Sequence, residues 1–166
     1  YYAAKPNLLA VGWGIAQLPV NSSLLSDPDK LKQYTYSVTG LVDPIFGAVA
    51  DDTVVAHEIG HNFGLFHDRE TLSGQNWDGT PAPIYPFAHG HRFGSSSGTI
   101  MSYASNTVEY FSNPDVMIDG YASGVPIGQQ GEADSAQAMI NVMHYYENIY
   151  DNPELIYHAI RATAGN

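Results

Sequence analysis

The chain has 166 residues, 44% of them hydrophobic and 12% aromatic, a size and composition that suit one globular domain with a sizeable core. Six Lys and Arg stand against seventeen Asp and Glu, a formal net charge of -11, and surfaces that bind phosphate backbones or anionic lipid need the opposite balance, so nucleic acid and membrane drop out as partners. The absence of cysteine removes a thiolate nucleophile, a Cys-rich zinc site and inhibition by a cysteine that caps a metal.

No uninterrupted apolar stretch reaches the length of a membrane span, and the opening Tyr1-Tyr2-Ala3-Ala4-Lys5-Pro6 lacks the charged-then-apolar layout of a signal segment. Leu8 to Gln17 is apolar and broken by Gly12 and Gly14, which predicts two short strands with a kink or turn between them. Pro19 follows, and proline cannot donate to a ladder, so the second strand, near Ile15 to Leu18, is expected at a sheet edge. Asn21 to Asp29 is rich in Ser, Asp, Asn and Pro and reads as loop, after which Tyr34 to Thr39 has the β-branched and aromatic content of a further strand.

From Asp51 to Phe63 the pattern becomes helical. Asp51 or Asp52 can cap it, and the helical period puts Val55, Ile59 and Phe63 on one side, read as the core face, with His57 and His61 opposite. Gly64 is the residue type that takes the left-handed conformation ending a helix, so the chain can reverse there. Thr71 to Gly98 is dense in Gly, Pro, Ser, Asn and Asp without a sustained period and reads as a long irregular excursion. Glu132 to Tyr150 predicts a second helix, with Ala136, Met139, Ile140, Met143 and Tyr150 toward the core, stopped by Asp151-Asn152-Pro153. No internal repeat or linker divides the chain.

The informative stretch is His57-Glu58-Ile59-Gly60-His61-Asn62-Phe63-Gly64-Leu65-Phe66-His67-Asp68. Two histidines four apart on a helix lie one turn apart on one face, so both imidazoles can reach one cation at the ~2.0–2.1 Å of a zinc–nitrogen bond. Glu58, beside the first histidine, can take a proton from water at the metal without itself occupying the metal. If the chain reverses at Gly64, His67 completes a three-His set with one open position, the mark of a catalytic rather than a structural zinc site. A lone histidine on a helix is more often a satisfied or exposed residue, but Gly64 and His67 add two further matching positions. His89 and His91 form a His-x-His that can bind metal, yet in a Gly- and Pro-rich loop they read better as hydrogen-bonded loop residues. His144 and His158 read as ordinary. Asp51, Asp52, Asp27 and Asp29 are possible calcium ligands without a repeated ligand pattern, and solvation or capping accounts for them better.

This stretch resembles the zinc-binding signature of the metzincin superfamily of zinc endopeptidases. The resemblance implies a tight methionine-containing turn beneath the metal, and Thr99-Ile100-Met101-Ser102-Tyr103 looks like it; Met117, Met139 and Met143 read as core residues. Asp68 after the third histidine resembles the reprolysin or adamalysin-like branch, where this acid is a structural anchor under the Met-turn. Tyr103 instead resembles the tyrosine that astacin-like and serralysin-like members use near the metal, which makes it an oxyanion donor or fifth ligand, or else a plain buried tyrosine. The Cys-free composition, Phe111-Ser112-Asn113-Pro114, Pro126-Ile127-Gly128 and the final helix look closest to bacterial secreted reprolysin-like peptidases.

The fold implied by that resemblance is α+β: residues 1–64 hold the end of an upper sheet and the zinc helix, and residues 65–166 form an irregular lower subdomain with the Met-turn and a C-terminal helix. Metzincin catalytic domains carry a substantial upper half before the zinc helix, whereas 56 residues precede His57 here. The earlier strands are therefore expected on a partner polypeptide or a separate N-terminal segment, because a sheet without its central strands exposes apolar surface. The implied function is a secreted zinc metalloendopeptidase that pairs an extended protein or peptide substrate with its edge strand and uses Glu58 as general base. A non-catalytic interaction module with the same fold and a zinc hydrolase of non-peptide substrates are the competing readings; a pseudoenzyme has no need of Glu58.

Overall fold

The computed structural model describes residues 13–40, 52–147 and 149. Strand β1 (Trp13–Ala16) pairs antiparallel with β2 (Ser37–Gly40), Gly14 opposite Thr39 and Ile15 opposite Val38. The Gln17 N–H extends the ladder to the Tyr36 carbonyl at 3.2 Å. Among the described residues β1 pairs with β2 alone. The expected strand before it, from Leu8, lies outside the described residues. β2 starts later than predicted because Lys32–Tyr34 is wound into a 3-10 turn.

The segment Asn21 to Asp29, read as loop, instead contains a one-turn helix and the cap of a second, α1 (Ser22–Leu25) and α2 (Pro28–Leu31). The same residues that suggest a loop are helix starters: the Asn21 side chain accepts from the Ser23 N–H, Asp27 accepts from the Lys30 N–H, and Pro28 fills the first turn of α2. Both turns persist because Leu25 and Leu31 are buried.

Helix α3 (Asp52–Asn62) runs beneath the β1–β2 pair. It ends in a double C-cap, with Gly64 at φ +83°, the Gly64 N–H on the His61 carbonyl at 2.9 Å and the Leu65 N–H on the Gly60 carbonyl at 3.1 Å. Asp51 lies outside the described residues. Of the expected core face only Phe63 packs against the core; Val55 and Ile59 are 36% and 42% exposed, and Ala56 and Gly60 take their place. The rotation follows from Gly60, where a Cβ would come within 2.5 Å of the Met101 sulfur and 3.4 Å of Leu65. Only a bare glycine face lets that methionine close on the helix.

After the reversal, Phe66 pairs with the chain at His89, its N–H on the Ala88 carbonyl at 2.8 Å and its carbonyl accepting from the Gly90 N–H at 3.0 Å. The start of the expected irregular excursion is helical, α4 (Arg69–Gly74), because Asp68 caps it through the Thr71 N–H at 2.9 Å. Three short strands follow as one sheet, β3 (Arg92–Phe93), β4 (Ser97–Gly98) and β5 (Asn106–Thr107), then a hairpin of β6 (Met117–Ile118) and β7 (Tyr121–Ala122).

The last described helix, α5 (Ser135–Glu147), is shorter than Glu132 to Tyr150 and turned from its predicted phase. Ile140 and Met143, expected in the core, are exposed, Met139 is only partly buried, and Ala138 and Val142 carry the contact. Ser135 sets the phase, since its buried hydroxyl donates to the His89 carbonyl at 2.9 Å. Tyr150 lies outside the described residues. Ala138 joins Leu65, Phe87, Ile100 and Met101 in one cluster, while Val142 joins Leu25, Leu31 and Ile149 in another, so α5 holds both halves of the core together. Mixed short helices and small sheets of this kind are compatible with the α+β class.

Candidate metal centre

Helix α3 presents His57 and His61 from successive turns, and the chain that turns back at Gly64 brings His67 to meet them. Their ligand atoms all lie within 4.8 Å of one another. The Nε2 of His67 is 3.1 Å from the Nε2 of His57 and 3.1 Å from that of His61. Two zinc–nitrogen bonds at a tetrahedral angle separate their nitrogens by ~3.3 Å, close to that spacing.

The protons decide what this cluster can do. His57 Nδ1 lies 2.7 Å from the Ile100 carbonyl, and His61 Nδ1 lies 2.7 Å from the Leu65 carbonyl. A carbonyl only accepts, so each Nδ1 carries the hydrogen and each Nε2 is left with a lone pair. Burial lowers the pKa of all three rings, that of His61 to about 3, so they stay neutral bases. One N–H on His67 can serve one of its two short contacts but not both. A cation among the three nitrogens serves every lone pair, so the donor set fits a zinc ion.

The surroundings tie the ligands down. The turn Thr99–Ser102 closes through the Ser102 N–H on the Thr99 carbonyl at 2.8 Å, with Met101 fully buried under Gly60. That turn supplies the Ile100 carbonyl to His57, and its Met101 carbonyl accepts from the Asp68 N–H at 3.0 Å. Asp68 is fully buried and takes the Thr71 N–H, the Thr71 hydroxyl at 2.5 Å, Arg92 Nε at 2.8 Å and the Tyr103 N–H at 3.1 Å. Against the desolvation that raises it, those bonds hold its carboxyl down to about 2.

Glu58 is 6% exposed, and burial pushes its carboxyl up to about 7. β1 crosses directly over it, since a Cβ on Gly14 would overlap the Glu58 carboxylate. Tyr103 is half exposed, its ring 5.7 Å from that of His57 and 4.6 Å from that of His67. Partial burial, and then the Glu58 and Asp68 charges, raise its phenol pKa, so it remains a donor at neutral pH. Glu58, His61, His67 and Tyr103 all open onto one cavity of ≈ 700 Å³ under β1.

A family profile described as Metallo-peptidase family M12B Reprolysin-like matches residues 42–133, more than half of the chain, and a second profile of the same description matches residues 7–68. The chain belongs to this family. The reprolysin-like chain is also 36% identical over 90 residues to a peptidyl-Asp metalloendopeptidase of Xanthomonas campestris pv. campestris. That match covers 52% of the chain and 19% of the relative, so the chain spans about a fifth of the curated relative's length. No solved structure matches. M12B metallopeptidases use zinc, in keeping with the three-His group.

Several residues that the sequence reading passed over position the reprolysin-like site. Asn62, buried in the last turn of α3, donates to the Gln17 and Tyr36 carbonyls, both at 2.9 Å, and so hangs the β1–β2 pair over the helix. The Tyr146 hydroxyl of α5 donates to the Asn62 carbonyl. His89, expected to be a hydrogen-bonded loop residue, is one: it is buried, its Nδ1 lies 2.9 Å from the His67 carbonyl, and its own carbonyl accepts from the Ser112 and Ser135 hydroxyls. Arg92 carried one available signal, being one of six cations in so acidic a chain. Asn62 and Gly14 carried none, because their roles depend on which backbone lies opposite. Asp27 caps α2 and pairs with Lys30 at 2.9 Å, and Asp29 pairs with Lys32 at 3.1 Å.

Proposed function

We propose that this chain holds the catalytic zinc of a metalloendopeptidase, with His57, His61 and His67 as ligands and Glu58 as general base. The observation that carries the reading is that His57 and His61 are neutral imidazoles whose Nδ1 hydrogens face carbonyls, with the Nε2 of each lying 3.1 Å from the Nε2 of His67. Zinc held there supplies Lewis acidity, which polarises a peptide carbonyl and acidifies water. The Glu58 carboxylate accepts a proton from water and hands it to the leaving amine. A cation nearby lowers its raised pKa and so favours the basic form at neutral pH.

The edge of β1 away from β2, which no described strand pairs, aligns an extended peptide backbone across the cavity by strand addition. Tyr103 donates its hydroxyl hydrogen to the oxygen that gains charge as the carbonyl is attacked. The turn at Met101 acts as a Met-turn, a rigid floor that fixes the tautomer of His57 through the Ile100 carbonyl. Asp68 anchors that floor from below, and Gly64 provides the reversal that brings His67 up. The acidic, Lys-poor surface fits a secreted enzyme, which predicts its recovery from cell-free culture medium.

The test is Glu58→Gln. Zinc content measured by mass spectrometry should stay at about one per chain, while cleavage of a denatured protein falls by two to four orders of magnitude, the range of general acid–base catalysis. A Gln variant as active as the parent, free of other proteases, overturns the assignment of the base. A parent that retains no zinc after dialysis overturns the ligand set.

A further inference from the structure

Resting on the reading of Tyr103 as the donor to the oxygen that gains charge, we infer that Arg92 is a positioning residue for that tyrosine. Its guanidinium locks the Tyr103 backbone to the buried Asp68 carboxylate and so sets where the phenol stands beside His57 and His67. Arg92 Nε donates to Asp68 Oδ1 at 2.8 Å, while Nη2 gives one hydrogen to the Thr71 hydroxyl at 2.8 Å and the other to the Tyr103 carbonyl at 3.2 Å. The Tyr103 N–H donates to Asp68 Oδ2 at 3.1 Å, and the Thr71 hydroxyl closes the ring by donating to the same oxygen.

The N–H and carbonyl of Tyr103 belong to the two peptide planes that flank its Cα, so holding both fixes the direction of its Cα–Cβ bond. Packing alone does not, because the residue is 50% exposed and its ring meets His57 and His67 on one side. β4 closes on the same segment: a Cβ on Gly98 would overlap Ser102 and Ala104, the neighbours of Tyr103. The contacts that orient the ligands run through other groups, His57 to the Ile100 carbonyl, His61 to the Leu65 carbonyl and the Asp68 N–H to the Met101 carbonyl. Loss of the guanidinium therefore frees the tyrosine and leaves the three-histidine set in place. Lysine cannot substitute, since Nε and Nη2 donate from two points of one rigid plane and an ammonium is a single point.

Arg92→Lys should keep about one zinc per chain and, on an internally quenched peptide that the parent cleaves, a KM within roughly twofold, while kcat falls roughly ten- to a hundredfold. In a Tyr103→Phe background the same change should alter kcat less than about twofold, because the group it positions is gone. Chains labelled with 3-fluorotyrosine give a reading independent of activity. The fluorine resonance that Tyr103→Phe removes should shift or broaden in Arg92→Lys, and the one that Tyr146→Phe removes should stay. Arg92→Gln carries the same readings if the lysine chain does not fold. Losses that multiply in the double variant, an unmoved Tyr103 resonance, or zinc lost together with activity would overturn the inference. A Tyr103→Phe chain as active as the parent sinks the donor reading instead, and the fluorine spectrum then decides the positioning alone.

Discussion

Replacing Asp68 with Ala should cost the fold about 3 kcal/mol and loosen the metal centre at the same time. The carboxylate is fully buried and serves four donors, the N–H and hydroxyl of Thr71, Arg92 Nε and the Tyr103 N–H. Breaking a buried, hydrogen-bonded pair costs ~3–5 kcal/mol, and the lower end applies because the Arg92 side chain is 35% exposed and can rehydrate. The pKa gives a second route to the charge-dependent share. The folded carboxyl sits at about 2 and an unfolded one near 3.8, a difference worth roughly 2 kcal/mol. Because the folded pKa is the depressed one, this stability is complete above the unfolded value and is lost as pH falls from about 4 through about 2.

Urea unfolding in EDTA, which keeps metal linkage out of the measurement, reads both effects. Asp68→Ala should lower the unfolding free energy by about 3 kcal/mol at pH 7. The gap between the parent and Asp68→Asn should narrow by ~2 kcal/mol between pH 4 and pH 2, since protonation does to the parent what the amide does to the variant. Because Asp68 also bonds the turn that orients His57, zinc affinity should fall ~10–100-fold in either variant. A loss below ~1 kcal/mol at pH 7, or a gap that does not change with pH, would refute the assignment of Asp68 as the charged anchor of the turn.

Gly14→Ala should keep the zinc and lose activity, because the new methyl displaces either β1 or the Glu58 carboxylate; unchanged turnover with unchanged metal would show that the strand yields freely. Burial holds His89 neutral with its pKa down to about 4, below the unfolded value of 6.5, so its contribution is full above 6.5 and disappears as pH falls toward 4. Metal-free parent should therefore lose stability across that window more steeply than His89→Gln, as followed by circular dichroism at fixed urea. His89→Gln should also weaken zinc binding through the His67 carbonyl it no longer steadies, a change that a competition titration against a chromophoric chelator detects.

The local chemistry of the centre was legible in the chain itself. The i, i+4 spacing puts His57 and His61 on one face, a glycine is what permits φ +83° at position 64, and a three-residue interval past it returns His67 to the same point. These are short-range relations, set by the helical period and by the conformations open to one residue type. Asp27 as a cap follows from the same local rules, and so do the helices at Ser22–Leu25 and Pro28–Leu31, whose capping residues also read as loop. Which face of a helix is buried was not local. Val55 and Ile59 look like a core stripe until Met101, far along the chain, closes on Gly60, and Ser135 fixes the phase of α5 only because the His89 carbonyl lies opposite. Periodicity states that a helix has an apolar side, but the partner surface selects the side that packs. Tertiary structure alone brings the β1 edge over Glu58 through Asn62, anchors the turn on Asp68, and leaves the cavity lined without a described cation, because each of these depends on residues distant in sequence meeting in space.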